Sequence, residues 1–410
     1  MVNYKLRCIN CGKIYGAEEA EYICPTCGNR LGTLEVVFNY DGIKLHREDF
    51  TKYNSIWQFE KILPIKNDAY KTHLHVGGTP LYIMPELAEE LEIKSLLIKY
   101  DGTNPTASFK DRASAIAIAK AYEKGYDTIY CASTGNAASS LAGLSAASKL
   151  KTYIFLPASA PIAKISQLFI YGAKVIPIDG SYDEAFDISM KIGEEKGWYC
   201  RNSAINPYLL EGKKTGALEI AVQNNWEIPD YLFVSVGDGT VISSFYKGFY
   251  DFYKLGLIDK IPKIIGVQAE GAAAVKKVFD KGEPFLPDDI ETNTIADSIS
   301  VGKPRDVIKA CKYVKASGGY FVSVSDEEIL NAVYELSLKT GIFGEPAGAT
   351  SYAGLKKVSK SLGKDATVAI VITGNGLKDV KAIEKFVHFE KIKPDINGVR
   401  EVIEKYENQI

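Results

Sequence analysis

The chain has 410 residues, of which 46% are hydrophobic and 24% are charged, and its formal net charge is −2. This length predicts two or three domains, and the near-neutral charge gives no indication of a surface built for nucleic acid or for a membrane. No apolar run is long enough to span a membrane, and Met1–Lys5 lacks the apolar core of a signal peptide. Seven cysteines, four of them clustered, argue against a disulfide framework and favour a cytosolic (cytoplasmic) location.

Residues 1–35 form the first predicted unit, which contains two pairs of cysteines. Cys8 and Cys11 form one pair, Cys24 and Cys27 the other, and each pair can place two thiolates on one tight turn. Four thiolates facing one another suit tetrahedral zinc, with rubredoxin-like iron as the alternative. Because four protein ligands leave no open position, the spacing predicts a structural, zinc-ribbon-like clip.

Two segments of simpler character flank the central region. Residues 36–75 are predicted to be a connector, in which Leu34–Tyr40 alternates like a strand and Trp57 and Phe59 can act as anchors. Residues 391–410 are predicted to be a helical tail.

Between these segments, residues 76–390 show short apolar strands separated by helices of ten to fifteen residues. That order predicts an open, mostly parallel α/β system in two lobes around a cleft, with the smaller lobe at about 106–205. The predicted strands are Ser95–Tyr100, Thr128–Ala132, Lys151–Leu156, Lys174–Pro177, Tyr231–Val236, Ile264–Gln268 and Thr367–Thr373.

The stretch Asn-Pro-Thr-Ala-Ser-Phe-Lys-Asp-Arg, at residues 104–112, precedes a run from Ala113 to Tyr122 with the apolar spacing of a helix. Lys110 therefore falls in the first turns of that helix, where the positive end of the dipole disfavours a cation. Such an amine, when partly buried, suits a nucleophile, a base or a Schiff-base partner for an aldehyde cofactor. The alternative is a solvated lysine paired with Asp111.

Three loops rich in glycine or serine each follow a predicted strand, which is where α/β sheets bind ligands. The first, Ser133–Ala137, precedes an Ala-rich helix, so its hydroxyls and amides can bind a substrate carboxylate. Asn136 can also bond a cofactor hydroxyl. Simple helix capping by Ser133 or Thr134 is the alternative, and the two interpretations can coexist.

The other two loops carry weaker patterns. In Val236–Thr240 the two glycines let backbone amides converge on a phosphate, and the aspartate between them is expected to bond within its own loop. In Thr373–Asp379 the first residue ends a buried strand and can present its hydroxyl to a ring nitrogen. A simple turn is the alternative for this last loop.

Taken together, these stretches resemble the threonine synthases, within the pyridoxal-phosphate family that includes tryptophan synthase β and the threonine dehydratases. The resemblance covers residues 77–379. It is carried by Gly78–Leu81, Asn104–Arg112, Ala132–Ala137, Glu211–Thr215 and Thr373–Asp379. It implies the two-lobed, mostly parallel α/β architecture of pyridoxal-phosphate fold type II and a homodimer.

The resemblance also implies roles for individual residues toward pyridoxal 5′-phosphate. Lys110 would hold the cofactor as a Schiff base and later shuttle a proton. Asn136 would contact the phenolic oxygen, and Thr373 would face the pyridine nitrogen. The residues that would cradle the cofactor phosphate are Gly237, Asp238, Gly239 and Thr240.

For the substrate, the resemblance implies O-phosphohomoserine, which loses phosphate from Cγ and gains water at Cβ to give threonine, a carbon–oxygen lyase reaction. Ser133, Thr134 and Asn136 would bind its carboxylate. A second phosphate site is then required. The candidates at matching positions are Thr79, Ser108, Lys164 and Lys214.

Two positions depart from the family pattern. Leu209 stands where an arginine is common, two residues before Glu-Gly, and the phosphate loop reads Gly-Asp-Gly-Thr in place of Gly-Asn-Ala-Gly. The first change removes a bidentate phosphate clamp unless another cation replaces it.

These departures leave a second hypothesis open, in which the cofactor is kept and the chemistry changes. It is β-elimination or β-replacement on serine, threonine or O-phosphoserine, as in an ammonia-lyase or a cysteate- or cysteine-synthase-like enzyme. A third hypothesis, a zinc-ribbon interaction protein without catalysis, is disfavoured by the intact Lys110, Asn136 and Thr373.

Overall fold

The computed structural model describes residues 4–66, 71–387, 389, 391–392 and 394–407, apart from the side chains of residues 163 and 164. The β-strands, numbered in chain order, are β1 (Tyr4–Cys8), β2 (Ile14–Tyr15), β3 (Leu34–Phe38), β4 (Leu81–Ile83), β5 (Ser95–Tyr100), β6 (Thr128–Ala132), β7 (Lys151–Pro157), β8 (Lys174–Ile178), β9 (Tyr199–Cys200), β10 (Tyr231–Ser235), β11 (Lys263–Ala269), β12 (Phe321–Val324) and β13 (Thr367–Ile372).

The α-helices are α1 (Gly28–Leu31), α2 (Pro85–Glu90), α3 (Lys110–Glu123), α4 (Asn136–Ala146), α5 (Ile162–Ile170), α6 (Tyr182–Lys196), α7 (Tyr208–Lys213), α8 (Thr215–Gln223), α9 (Thr240–Lys254), α10 (Ala274–Lys281), α11 (Val307–Ala316), α12 (Asp326–Thr340), α13 (Pro346–Val358) and α14 (Ile396–Glu407). A 3₁₀ segment, Val380–Phe386, precedes α14. None of these helices combines the length and the apolar character that crossing a membrane requires.

The N-terminal sheet is antiparallel, with the strand order β2-β1-β3. Along β1, burial alternates with exposure, as expected for a sheet with one covered face. Strand β3 ends two residues before the predicted end, because Tyr40–Gly42 forms a 3₁₀ turn. The Asn39 side chain accepts a hydrogen bond from the Asp41 amide, which stabilises that turn.

The largest sheet has six strands in the order β12-β11-β10-β13-β5-β4, all parallel except the edge strand β4. Alternate side chains of β13 enter two different hydrophobic clusters. Val368, Ile370 and Ile372 pack into the cluster that contains α13, whereas Ala369 and Val371 pack into the cluster that contains α3 and α9. Both faces of the sheet are therefore covered, which explains the continuous apolar run in the sequence.

The third sheet is fully parallel, with the order β8-β7-β6-β9. Its strands fall between residues 128 and 200, inside the segment predicted to be the smaller lobe. The prediction of a mostly parallel α/β system is confirmed. The strands that the sequence analysis did not predict are β1, β2, β4, β9 and β12, which are five residues long or shorter.

A network of fully buried charges ties α3 to β5 and α8. Arg112 Nε lies 2.6 Å from Asp101 Oδ2, and Arg112 Nη1 lies 2.5 Å from Glu219 Oε1. Glu219 Oε2 lies 2.6 Å from Lys99 Nζ. Because Glu219 is bonded to two cations, their attraction outweighs its burial and lowers its pKa to about 2.

Replacement of Glu219 by glutamine should strongly destabilise the fold. The change leaves Lys99 buried without a carboxylate, so we expect the free energy of unfolding, measured in urea, to fall by about 3–5 kcal/mol. A matched control is Lys260→Met, which removes the exposed pair with Asp230 and should cost less than about 1 kcal/mol. Equal losses in the two variants would contradict a central role for the buried network.

Candidate active site

A cleft of about 770 Å³ opens where strands of both parallel sheets reach their carboxyl ends. The segments that follow β6, β9, β10 and β13 all contribute to its lining. Ligands of open α/β sheets bind at this edge because loops and helix N-termini converge there. The topology thus brings chain segments from about residue 110 to residue 373 to one site.

Lys110 is the first residue of α3 and lines this cleft, so its predicted position in the helix is confirmed. The segment before it pairs with the end of β13: the Phe109 amide donates to the Thr373 carbonyl at 2.8 Å, and the Asn375 amide donates to the Ala107 carbonyl at 3.1 Å. Ala107 adopts a φ of 61° within this crossing. The pairing places Lys110 close to Thr373, which also lines the cleft.

The surroundings of Lys110 favour its neutral form. Burial lowers the pKa of this amine, and the nearby charge of Arg201 acts in the same direction, while Glu345 and Asp238 oppose the shift. The interpretation as a solvated lysine paired with Asp111 is wrong. Asp111 is buried, and its carboxylate accepts the Thr106 amide at 2.7 Å.

The loop Ser133–Ala137 lines the cleft just before α4. The Ser133 hydroxyl accepts the Gly135 amide at 3.2 Å, so this serine does stabilise the turn locally. No side chain caps the helix itself. Within the described part of the chain, the amides of Thr134, Asn136 and Ala137 donate no hydrogen bond, and they point to an anion site at the helix start.

Asn136 has a partner that the sequence did not reveal. Its side-chain amide donates to both carboxylate oxygens of Glu345, at 2.8 and 3.0 Å. Glu345 immediately precedes α13, and a side chain at Gly374 would overlap its carboxylate. Burial raises the pKa of Glu345, although Asn136 and Lys110 act in the opposite direction. The available signal was a glutamate directly before a proline-initiated helix.

In the loop Val236–Thr240, the expectation that Asp238 bonds within its own loop is confirmed. The Asp238 carboxylate accepts the amide and the hydroxyl of Thr240, at 3.0 and 2.9 Å, and so bonds within its own loop. Gly239 has a φ of 98°, and a Cβ there would lie 2.9 Å from the carbonyl oxygen of Asp306. Among the hydrogen bonds of the described residues, none is donated by the backbone amides of residues 237–239.

The structure separates two of the predicted phosphate ligands from the cleft. Lys214 is fully buried, with its ammonium bonded to the Ile62 carbonyl at 2.7 Å, to Glu211 at 2.5 Å and to Asp251 at 2.6 Å. The prediction that Lys214 faces a substrate phosphate is wrong, because these partners already satisfy it. Thr79 is also wrongly placed by the sequence, since its hydroxyl donates to Asp101 in the buried network at 2.7 Å.

The remaining predicted residues are distributed as follows. Ser133, Thr134, Asn136, Gly237 and Asp238 line the cleft, whereas Gly239 and Thr240 lie behind it in the same loop. Ser108 is buried, pairs with Gly374, and its hydroxyl has no partner among the described residues. The Lys164 side chain lies outside the described residues. Four cations that the sequence did not single out line the cleft: Arg201, Lys213, Lys303 and Arg305.

Solved structures with this architecture define its class. Threonine deaminase isoform 2 from Solanum lycopersicum superposes with a TM-score of 0.65 at 21% identity, covering 75% of this chain and 86% of that chain. Diaminopropionate ammonia lyase from Escherichia coli gives a TM-score of 0.65 at 16% identity, covering 94% and 97%. The fold is therefore the α/β architecture of pyridoxal-phosphate fold type II.

A family model described as pyridoxal-phosphate dependent enzyme matches residues 72–374. The threonine synthase of Methanocaldococcus jannaschii is 40% identical over 409 residues, covering 97% of this chain and 99% of that protein. The threonine synthase of Methanosarcina acetivorans is 38% identical over 405 residues, covering 98% of both. The chain belongs to the pyridoxal-phosphate-dependent enzymes, in the family of these threonine synthases.

Replacement of Gly374 by alanine should disturb the site. The added methyl group would overlap the Glu345 carboxylate, so the free energy of unfolding should fall by about 1–3 kcal/mol, and the protein should retain less cofactor. Urea titration and visible absorbance measure the two effects. Gly42→Ala is the control, since nothing lies within 4 Å of a Cβ there. If Gly374→Ala kept the stability and the cofactor content of the wild type, the close contact between Gly374 and the Glu345 carboxylate would be contradicted.

Proposed function

We propose that the chain is a threonine synthase that converts O-phosphohomoserine and water to threonine and phosphate. The observation that carries the proposal is one cleft, lined by Lys110, that also holds two separate sets of unbonded backbone amides, at Thr134, Asn136 and Ala137 and at Gly237 and Asp238. One set suits a substrate carboxylate and the other a phosphate ester. The full-length similarity to curated threonine synthases supports the named reaction.

The residues present fit pyridoxal 5′-phosphate. Lys110 supplies an amine with a lowered pKa, and the loop Gly237–Thr240 supplies amides at the start of the fifteen-residue helix α9. Thr373 supplies a neutral hydroxyl at the end of β13. Bound pyridoxal phosphate supplies an electron sink for negative charge at the substrate Cα.

The chain's own groups divide the remaining work. The amides of Thr134, Asn136 and Ala137 hold the substrate carboxylate and so orient Cα. Lys110 Nζ accepts the Cα proton, which a neutral amine can do and an ammonium cannot. Glu345 holds the side-chain amide of Asn136 in one orientation, which positions that amide beside Lys110 and the cofactor.

The alternative, β-elimination or β-replacement on serine, threonine or O-phosphoserine, is left open in the sequence by two departures from the family pattern, Leu209 and the Gly-Asp-Gly-Thr loop. Leu209 is fully buried in the hydrophobic core and does not line the cleft. Position 209 therefore contributes no charge to the cleft in this chain, and a clamp for a second phosphate must come from other residues. The expectations of a homodimer and of a cytosolic location stay predictions.

The two reactions give different products from defined substrates. With O-phosphohomoserine, we expect phosphate and threonine to appear in equal amounts. A phosphate assay measures the first product, and amino-acid chromatography measures the second. With threonine or serine alone, we expect no ammonia and no oxo acid. Rapid release of ammonia from threonine, with O-phosphohomoserine left unchanged, would instead establish the ammonia-lyase reaction.

Replacement of Lys110 by alanine should abolish threonine formation and the visible absorbance of the bound cofactor, because it removes the amine proposed to bond the cofactor aldehyde. Circular dichroism should show an unchanged fold. The control is Lys191→Ala, which alters an exposed lysine on α6 and should leave both signals intact. A Lys110→Ala variant that still forms threonine would remove the central assignment.

We also propose that the four clustered cysteines hold a structural zinc ion. The sulfur atoms of Cys8, Cys11, Cys24 and Cys27 all lie within 4.8 Å of one another, a donor set that suits tetrahedral zinc. Gly12 and Gly28, which follow the two pairs, have φ angles of 74° and 66° that allow the tight turns.

The cysteine clip packs on α11. Lys309 donates to the Leu34 carbonyl at 3.2 Å, and Lys312 donates to the Ile9 carbonyl at 2.6 Å. At the start of the same helix, the Asp306 amide donates to the Asp238 carbonyl at 3.1 Å. The clip therefore contacts α11, and the residue before α11 contacts the loop proposed to hold the cofactor phosphate.

Replacement of Cys24 by serine should release zinc and lower the thermal midpoint, because it removes a buried thiolate ligand. Metal content by mass spectrometry and a melting curve measure these effects. Cys311→Ser changes a buried cysteine outside the cluster and should keep one zinc per chain. Residual threonine formation should persist in folded Cys24→Ser protein. Complete loss of catalysis at unchanged stability would contradict a structural metal.

A further inference from the structure

The guanidinium of Arg201 is buried beside the cleft, and two of its three nitrogen atoms have no hydrogen-bond partner among the described residues. Arg201 follows β9 and is 0% exposed. Its Nε donates to the Ser114 hydroxyl at 3.1 Å, but Nη1 and Nη2 have no hydrogen-bond partner among the described residues. Buried guanidinium groups are normally paired, because an uncompensated charge is costly away from water. The two free nitrogen atoms therefore leave Arg201 with unused donors that an anion can accept.

Lys213 provides a second cation in the same cleft. It ends α7, is 1% exposed, and makes no hydrogen bond through Nζ to the part of the chain that the structure describes. Its charged neighbours come from four elements: Asp238 in the loop after β10, Asp306 before α11, Lys110 on α3, and Arg201 after β9.

The position of these cations matches a need that the sequence analysis exposed. The arginine common two residues before Glu-Gly is replaced by Leu209, which points into the core. Lys214, the lysine expected to serve, is satisfied by Glu211 and Asp251. Lys303 and Arg305 also line the cleft, but both are paired with Asp183, at 2.9 and 3.8 Å. Arg201 and Lys213 have no such carboxylate within ion-pair distance among the described residues.

We propose that Arg201 and Lys213 form a subsite for a phosphate monoester dianion, and that it takes the phosphate group of the substrate. The inference rests on the proposed function. The free Nη1 and Nη2 atoms of Arg201 suit bidentate contact with phosphate oxygens, and the ammonium of Lys213 adds a point charge. The amides of residues 237–239 provide a separate place for the cofactor phosphate.

The test titrates inorganic phosphate into the holoenzyme by calorimetry and measures cofactor affinity by visible absorbance. In Arg201→Met and in Lys213→Met, phosphate affinity should fall by about tenfold or more, while cofactor affinity should stay within about twofold of wild type. The controls are Arg400→Met and Lys191→Met, two exposed positions, which should bind phosphate as wild type does.

Two results would overturn the subsite. One is phosphate binding that is undetectable in wild type or unchanged in both cleft variants. The other is a loss of cofactor affinity with phosphate binding retained, which would assign the two cations to the cofactor phosphate. If a methionine variant fails to fold, Arg201→Lys and Lys213→Gln replace it. In cofactor-free protein, removal of the unpaired charge should raise the thermal midpoint, whereas loss of a purely structural arginine should lower it.

The pH dependence supplies an independent readout. Burial, with Lys110 and Arg201, lowers the pKa of Lys213 to about 7, although Asp238 and Asp306 oppose the shift. Above that pH the empty cleft holds a neutral amine, so anion binding must be accompanied by proton uptake and must weaken as the pH rises. Sulfate, which stays a dianion throughout, should show this dependence in wild type and lose it in Lys213→Met. The same pH dependence in both proteins would exclude Lys213.

Phosphate binding requires no turnover, so the two proposals can fail separately. Phosphate binding that depends on Arg201 and Lys213, without conversion of O-phosphohomoserine, would preserve the subsite and remove the proposed reaction. Threonine formation together with phosphate binding that is unchanged when either residue is replaced would preserve the proposed reaction and remove the subsite.

Discussion

The hydrogen bond from the Phe109 amide to the Thr373 carbonyl is the contact on which the geometry of the site depends. It joins the segment before α3 to the end of β13, and it is possible because β5 and β13 are neighbours in the parallel sheet. The Ala107 φ of 61° is unfavourable for a residue with a Cβ. The chain accepts this local cost where the crossing sets the direction of the Lys110 side chain.

The buried charges of this protein fall into two groups with different consequences. Arg112, Lys99 and Lys214 are each bonded to carboxylates at 2.5–2.6 Å. The first two tie α3 and α8 to the end of β5, and the third ties the end of α7 to α9. Arg201 and Lys213 lack such a bonded carboxylate and line the cleft. A fold can tolerate an uncompensated buried cation only at a cost in stability. That cost is understandable where an anionic ligand completes the interaction.

Sequence patterns predicted the parallel sheets, the position of Lys110 and the three loops, because each depends on local spacing or on a strand followed by glycine or serine. The patterns did not correctly predict which of two adjacent lysines, Lys213 or Lys214, lines the cleft. Adjacent residues on a helix point about 100° apart, so only the packing of α7 against its neighbours decides which lysine faces the cleft. The bond between Asn136 and Glu345 joins residues 209 apart in sequence, and no local pattern encodes it.

The central claim is that Lys110, and not another amine of the cleft, bonds the aldehyde cofactor. Reduction of the holoenzyme with borohydride, followed by proteolysis and mass spectrometry, locates the attached pyridoxyl group directly. We predict that the label is on the peptide containing Lys110 and is absent from the Lys213 peptide. A label on Lys213, or an unlabelled Lys110 peptide from fully loaded protein, would contradict the account.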